Sequence, residues 1–269
     1  MLLSSGVVDV DFATMMALEP YGADAWIGVG PRYPWGGLFG GQIVAQGLRA
    51  ATATVDGSYL PHSLHASFLR SGSHTEKILF EVERVRDGRS FCNRRVVARQ
   101  AVGVILTMTA SFHVDEGGAT VQTVTRPPLP HPDEMGDSAW TPLFDRRMTF
   151  GPVPGSVAAW MRMGQPIGDD PALQACALAY TSDDLPTDTV VALHPERDRG
   201  EEFHDSFFTA SVDHAVWFHR PMRADEWHVQ AFECHGLAGS RGVAIGHVFA
   251  ADGTHTATVS QEVVLRRRQ

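Results

Sequence analysis

Cysteine and basic residues are both scarce in this chain. Three cysteines, Cys92, Cys176 and Cys234, occur among 269 residues. An odd number without a CxxC pair is unsuited to a disulfide framework or to a Cys/His metal site. The formal net charge of −9 disfavours a general nucleic-acid-binding protein, because phosphate contacts need a basic surface. We therefore expect a reducing, cytoplasmic setting and no nucleic-acid partner.

Long apolar runs and the common catalytic motifs are also missing. No stretch reaches the roughly 18 consecutive apolar residues of a membrane span, and the first twelve residues lack the basic start of a signal peptide. There is no GxSxG elbow, no Walker A loop and no complete dinucleotide fingerprint. These absences disfavour an α/β-hydrolase serine and a nucleotide site. We predict no metal and no cofactor.

An internal repeat is present instead. Each half has a helix of small residues, at positions 41–51 and 171–180, followed by a run of candidate strands. The motif Phe68-x-Arg70 recurs as Phe218-x-Arg220, 150 residues later. Ser111 aligns with Gln261 at the same spacing, with an uncertainty of one residue because the apolar faces of the two final strands are out of phase. A helix and then antiparallel strands, twice over, predict an α+β fold.

The repeat also gives the domain boundaries. We predict a first half over residues 1–114, a Pro- and Gly-rich linker over 115–154 and a second half over 155–269. Within the second half, residues 181–207 are expected to form a long loop.

Two polar residues of the second half require an explanation. Asp213 lies in a predicted strand, where Asp is disfavoured. Gln261 falls on the otherwise apolar face of the final strand, where a buried amide needs a hydrogen-bond partner. The alternatives are a surface or ion-paired Asp213 and a structural bond for Gln261. Because only the second copy carries an acid and an amide, we predict one working site per chain.

Several segments resemble the acyl-CoA thioesterase II family. They are FGGQIVAQ, HSLHASFLRSG and VERVRDGRSF in the first half, and DLPTD, VDHAVWFHRPMRADEW, GSRG and SQEVVLR in the second, over residues 30–266. The resemblance implies a double hotdog fold, two tandem halves each with an antiparallel sheet wrapped around a helix. It also implies hydrolysis of acyl-CoA to free acid and CoA.

In that family an Asp, a Thr or Ser, and a Gln hold the attacking water. The resemblance transfers the Asp to Asp213 and the Gln to Gln261. The position of the hydroxyl falls on Cys234 and His235, so His235 is the candidate third member of the site. A histidine can bind a water and act as a base near neutral pH.

The mechanism expected from these residues is direct attack of water on the thioester. Backbone N–H groups of Gly40 and Gly41, where a helix begins, could hold the developing oxyanion, although close packing alone also explains these glycines. Arg84, Arg86 and Arg89 are candidates for the CoA phosphates, or for charge pairs along a strand. Acyl-CoA is the predicted partner, and a homo-oligomer is expected because hotdog sheets often pair. The alternatives are a hotdog enoyl-CoA hydratase or dehydratase and a non-catalytic acyl-CoA-binding protein.

Overall fold

The computed structural model describes residues 10–196 and 206–268. The elements of the first half are α1 (Phe12–Met16), β1 (Glu19–Pro20), β2 (Ala25–Gly28), α2 (Gly40–Thr52), β3 (Tyr59–Phe68), β4 (Ile78–Asp87), β5 (Phe91–Gln100) and β6 (Gly103–Val114). Both the small-residue helix and the four long strands lie where the sequence predicts them.

The second half repeats this arrangement with additions. Its elements are β7 (Phe144–Phe150), β8 (Ser156–Met163), α3 (Pro171–Thr181), α4 (Leu185–Leu193), β9 (Phe207–Ser211), β10 (Asp213–Phe218), β11 (His228–Ala238), β12 (Arg241–Ala250) and β13 (His255–Arg267). Two predictions are corrected here. The predicted linker contains β7, which pairs with β8. The predicted loop after α3 contains α4, an apolar helix whose buried residues include Val190 and Val191.

One antiparallel sheet runs through both halves. Its strand order is β1-β2-β4-β5-β6-β3-β10-β13-β12-β11-β8-β7, and β9 adds to the end of β13. The succession of strands is equivalent when read from either end. The two halves meet where β3 pairs with β10. This is the α+β double hotdog architecture that the sequence predicts.

The sheet register settles which residues are equivalent in the two halves. Leu64 and His214 occupy the same place relative to the two Phe-x-Arg motifs. Leu64 pairs with Ala110 across β3 and β6, and the register of β10 with β13 places His214 opposite Gln261. Ala110, and not Ser111, is therefore the counterpart of Gln261. The uncertainty of one residue is resolved in favour of the buried face.

The two central helices pack against each other on the inner side of the sheet, and α2 is almost wholly buried. Pro171 begins α3, and the carboxylate of Asp170 accepts a hydrogen bond from the N–H of Ala172. The start of α2 lies against the end of α3. A Cβ atom added to Gly41 would lie 2.2 Å from the carbonyl oxygen of Tyr180. Glycine is needed here because the two backbones approach so closely.

Candidate active site

A buried carboxylate occupies this junction of helices. Asp183 follows α3 directly and is 4% exposed. Its Oδ2 accepts a hydrogen bond of 2.8 Å from the backbone N–H of Gly41, in the first turn of α2. Its Oδ1 accepts a bond of 3.0 Å from the hydroxyl of Ser211, the last residue of β9. The carboxylate is thus held by both halves of the chain.

The amide of Gln261 completes the cluster. Gln261 is 1% exposed and lies on the buried face of β13, as the sequence predicts. Its Nε2 donates to the Ser211 Oγ at 2.8 Å. Asp183, Ser211 and Gln261 therefore place a carboxylate, a hydroxyl and an amide in one continuous hydrogen-bonded group, although they are separated by up to 78 positions in sequence.

Burial makes the side chain of Asp183 an unusually weak acid. Desolvation raises the pKa of Asp183 to about 7, against the lowering effect of the hydrogen bonds from Ser211, Gln261 and Gly41. The fixed N–H groups at the start of α2 favour its charged form. A carboxylate that titrates near neutral pH can both accept a proton and return it, which is the requirement for general acid–base chemistry.

A histidine extends the cluster on the other side of the amide. His214 in β10 is fully buried, and its Nδ1 lies 2.5 Å from the Gln261 Oε1. Its Nε2 lies 2.9 Å from the hydroxyl oxygen of Ser182. Burial lowers the pKa of His214 to about 4, so the ring is neutral at physiological pH.

The predicted partnership of Asp213 with Gln261 is wrong. Asp213 is exposed at the start of β10, and its Oδ1 accepts a hydrogen bond from the backbone N–H of Glu262 at 2.8 Å. Because successive strand side chains point to opposite faces, Asp213 lies on the face away from its neighbour His214 and away from Gln261. The alternative reading of Asp213 as a surface residue agrees with the structure.

His235 is not brought to the cluster either. It is exposed at a bulge in β11, and β12 separates β11 from β13. The hydroxyl that the structure brings to the cluster is that of Ser211. This residue lies two positions before Asp213.

The two glycines lie at the cluster, in part for a different reason than expected. The N–H of Gly41 is bonded to the Asp183 carboxylate. A Cβ atom on Gly40 would lie 2.6 Å from the Asp183 Oδ2. Both glycines therefore let the start of α2 approach the acid. Elsewhere, Arg84 makes two hydrogen bonds to Asp24, a residue outside its own strand.

A signal for Asp183 is present in the sequence. Asp183 and Asp184 follow a helix whose residues are almost all apolar or small, so at least one of the two acids is carried into the interior. The roles are divided. Asp184 accepts hydrogen bonds from Trp140 and Arg146, and Asp183 is left for the cluster.

Two tandem hotdog halves, with a buried carboxylate, hydroxyl and amide where the halves meet, fit the class of hotdog thioester hydrolases. Comparison with known proteins agrees. Residues 30–113 match the model of the acyl-CoA thioesterase N-terminal domain, and residues 121–265 match that of the C-terminal domain. The chain thus belongs to the acyl-CoA thioesterase family, and it is an acyl-CoA thioester hydrolase.

Individual relatives are similar over most of their length. The chain is 33% identical to acyl-CoA thioesterase 2 of Haemophilus influenzae, over 85% of this chain and 87% of that protein. It is 32% identical to human acyl-coenzyme A thioesterase 8, over 94% and 88%. The crystal structure of acyl-CoA thioesterase II TesB2 from Mycobacterium marinum superposes with a TM-score of 0.80 at 35% identity, covering 96% of this chain and 98% of that one. No helix among the described residues is long and apolar enough to cross a membrane.

Proposed function

We propose that the chain hydrolyses acyl-CoA by direct attack of a water molecule that Asp183, Ser211 and Gln261 hold. The observation that carries this proposal is the buried Asp183 carboxylate, with one oxygen on Gly41 N–H and the other on Ser211. Each carboxylate oxygen has a second lone pair that can accept a water hydrogen. The Gln261 amide donates to Ser211 and to Asp183, so it keeps the hydroxyl and the carboxylate side by side at that water.

The steps balance without a further reactant. The water oxygen bonds to the thioester carbonyl carbon while the Asp183 carboxylate takes its proton. The tetrahedral intermediate then breaks its C–S bond. The CoA thiolate leaves and takes up a proton from Asp183 or from solvent. A thiolate is a good leaving group, so no strong acid is required.

Stabilisation of the intermediate falls to the first residue of α2. The N–H of Gly41 is bonded to Asp183, so Gly40 is the better of the two predicted oxyanion donors. Its N–H is one of the four at a helix start that have no acceptor within the helix. Donors fixed in this way stabilise an oxyanion without reorganisation.

A thiol-release assay over a series of acyl-CoA chain lengths tests the proposal. Asp183→Asn removes the base, and Ser211→Ala removes the hydroxyl. We expect kcat to fall by about 100-fold or more for Asp183→Asn, with a smaller fall for Ser211→Ala. The matched control is Asp213→Asn, the same substitution at the exposed acid two residues beyond Ser211, which we expect to keep wild-type activity.

The same assay separates the alternatives. Full activity of Asp183→Asn, or loss of activity in Asp213→Asn alone, would overturn the assignment of the base. Stoichiometric binding of acyl-CoA without thiol release would favour a non-catalytic binding protein. Hydration of a 2-enoyl-CoA without thiol release would favour a hydratase.

We further propose that the protein works in the cytoplasm as a homo-oligomer. All three cysteines are free, and Cys92 and Cys176 are buried, which suits a reducing compartment. Trp217 is 37% exposed on β10, near the centre of the sheet, and offers an apolar contact for a second copy. Light scattering of the purified protein measures the oligomeric state, and a monomer at all concentrations would contradict this part.

A further inference from the structure

The hydrogen bonds around Gln261 form a closed ring. Asp183 is bonded to Ser211, Ser211 to Gln261, Gln261 to His214, and His214 to Ser182. Ser182 is joined to Asp183 by a peptide bond, which closes the ring. Apart from the half-buried Ser211, its members are buried.

The ring has one direction of donation. The Ser211 hydroxyl has a single hydrogen and gives it to the Asp183 carboxylate, which cannot donate when ionised. Ser211 must therefore accept from Gln261, and its neighbour is the amide nitrogen. The amide oxygen then faces His214, and it requires an N–H on Nδ1 of that ring.

Ser182 accommodates this tautomer of His214. A neutral imidazole with hydrogen on Nδ1 has a bare Nε2, and the Ser182 hydroxyl can donate to it at 2.9 Å. The same hydroxyl has a second acceptor, the Ala179 carbonyl, at the longer distance of 3.2 Å. With the other tautomer, the Gln261 amide would have to turn over and present its oxygen to Ser211. The Ser211 hydrogen would then have two competing acceptors, Asp183 and Gln261.

The first half of the chain shows that the fold does not need this histidine. The counterparts of His214 and Gln261 are Leu64 and Ala110, both buried and paired across the same two strand positions. A leucine therefore fits the site of His214 in an equivalent sheet. A buried histidine costs desolvation that a leucine does not, so its presence in the second half needs another reason.

We infer that His214 is a positioning residue that fixes the orientation of the Gln261 amide, and through it the hydroxyl of Ser211, for the attacking water. This inference rests on the proposed function. His214 does not reach the water or the substrate in this scheme. It sets which end of the amide faces Ser211 and Asp183. Without it, the amide rotates and the wrong end is presented for part of the time.

Two substitutions at position 214 separate positioning from packing. His214→Leu introduces the residue of the first half, fills a similar volume and removes both hydrogen bonds. His214→Asn places an amide N–H near the former position of Nδ1 and can restore the bond to Gln261. We expect kcat to fall roughly 10- to 100-fold in His214→Leu, with KM changed less than about threefold. We expect His214→Asn to recover most of the loss.

His228 supplies the matched control. It is also buried, at 1% exposure, and its pKa is likewise lowered by burial to about 4. Its Nδ1 is bonded to the backbone carbonyl of Glu226, and it lies outside the ring. We expect His228→Leu to change Tm because a buried hydrogen bond is lost. We expect kcat to stay within about twofold of wild type.

A double-mutant cycle with Gln261→Ala decides the inference. If His214 acts through Gln261, then His214→Leu costs almost nothing once Gln261 is alanine. Full effects of both substitutions in the double variant, or equal loss in His214→Asn and His214→Leu, would overturn the inference. Wild-type activity in Gln261→Ala alone would instead overturn the proposed function. A normal Gln261→Ala defect beside an active His214→Leu would overturn only the role of His214.

Discussion

The two halves of the chain share the contacts at the ends of their strands and differ in their buried residues. In both, the arginine of the Phe-x-Arg motif donates to the backbone of the final strand. Arg70 bonds to the Val104 carbonyl and Arg220 to the His255 carbonyl, which are equivalent in the register derived above. These contacts tie the end of β3 to β6 and the end of β10 to β13.

The buried positions on these paired strands differ chemically between the two halves. The first half has Leu64 and Ala110, and the second has His214 and Gln261. The apolar pair needs no hydrogen bonds. The polar pair is stable because each of its polar side-chain atoms has a hydrogen-bond partner in the ring with Ser182 and Ser211. In a duplicated scaffold, one half can therefore keep an apolar pair at these positions while the other carries the polar side chains.

The role of this difference between the halves can be tested by exchanging the residues that differ. Gln261→Ala gives the second half the residue of the first. We expect kcat to fall about 100-fold, because the amide no longer holds Ser211 and Asp183 in place. Thiol release measures the loss.

The reciprocal change, Ala110→Gln, is the control for this exchange. It buries an amide whose facing residue is Leu64, so we expect a loss of stability of about 1–3 kcal/mol with no change in kcat. Denaturant unfolding measures the stability. An equal loss of kcat in both variants would show that the positions of Leu64 and Ala110 also take part in catalysis.

The pH dependence of the rate gives a second, smaller effect. Because the pKa of Asp183 is raised to about 7 by burial, the base is protonated and inactive below that pH. We expect kcat to rise about tenfold per pH unit up to about pH 7 and then to level off. His214, with its pKa near 4, stays neutral over this range and adds no second limb.

The comparison is with Asp213→Asn, which removes an exposed acid and leaves Asp183 in place. Its profile should overlay that of the wild type. A rate that does not vary between about pH 5 and pH 7 would show that Asp183 is not the base.

How much of this could be predicted from sequence depends on the scale of the feature. The α+β class was predictable because a small-residue helix and a run of candidate strands occur twice and the Phe-x-Arg motif repeats, and the double hotdog followed from the family resemblance. Gln261 was predictable as well, because a lone amide on an apolar strand face stands out in a period of two.

The acid was not predictable in the same way. Asp213 stands out in its strand, but an exposed position costs a carboxylate little. Asp183 lies between two helices, where no period marks the inward direction. Its burial follows from the approach of Gly41 to Tyr180, a contact between residues 139 positions apart. Tertiary contacts of this kind decide which of several acids is carried into the interior.

The smallest effect concerns stability rather than rate. The folded chain keeps the Asp183 proton up to about pH 7, whereas the pKa of an unperturbed Asp is 3.8. Between these values the folded state binds more protons than the unfolded state, so stability falls as pH rises. Asp183→Asn removes this titration. Its Oδ1 can still accept from Gly41, and its amide can donate to Ser211.

We therefore expect the inactive Asp183→Asn variant to melt a few degrees above the wild type at about pH 8. The gain should disappear near pH 5, where the wild-type carboxyl is protonated too. Calorimetric scans at the two pH values measure both. The matched variant Asp213→Asn, on the exposed side of β10, should show no such pH-dependent gain. A Tm for Asp183→Asn below that of the wild type at both pH values would mean that the charged carboxylate stabilises the junction of α2 and α3. In that case the buried acid of the second half would carry no cost in stability.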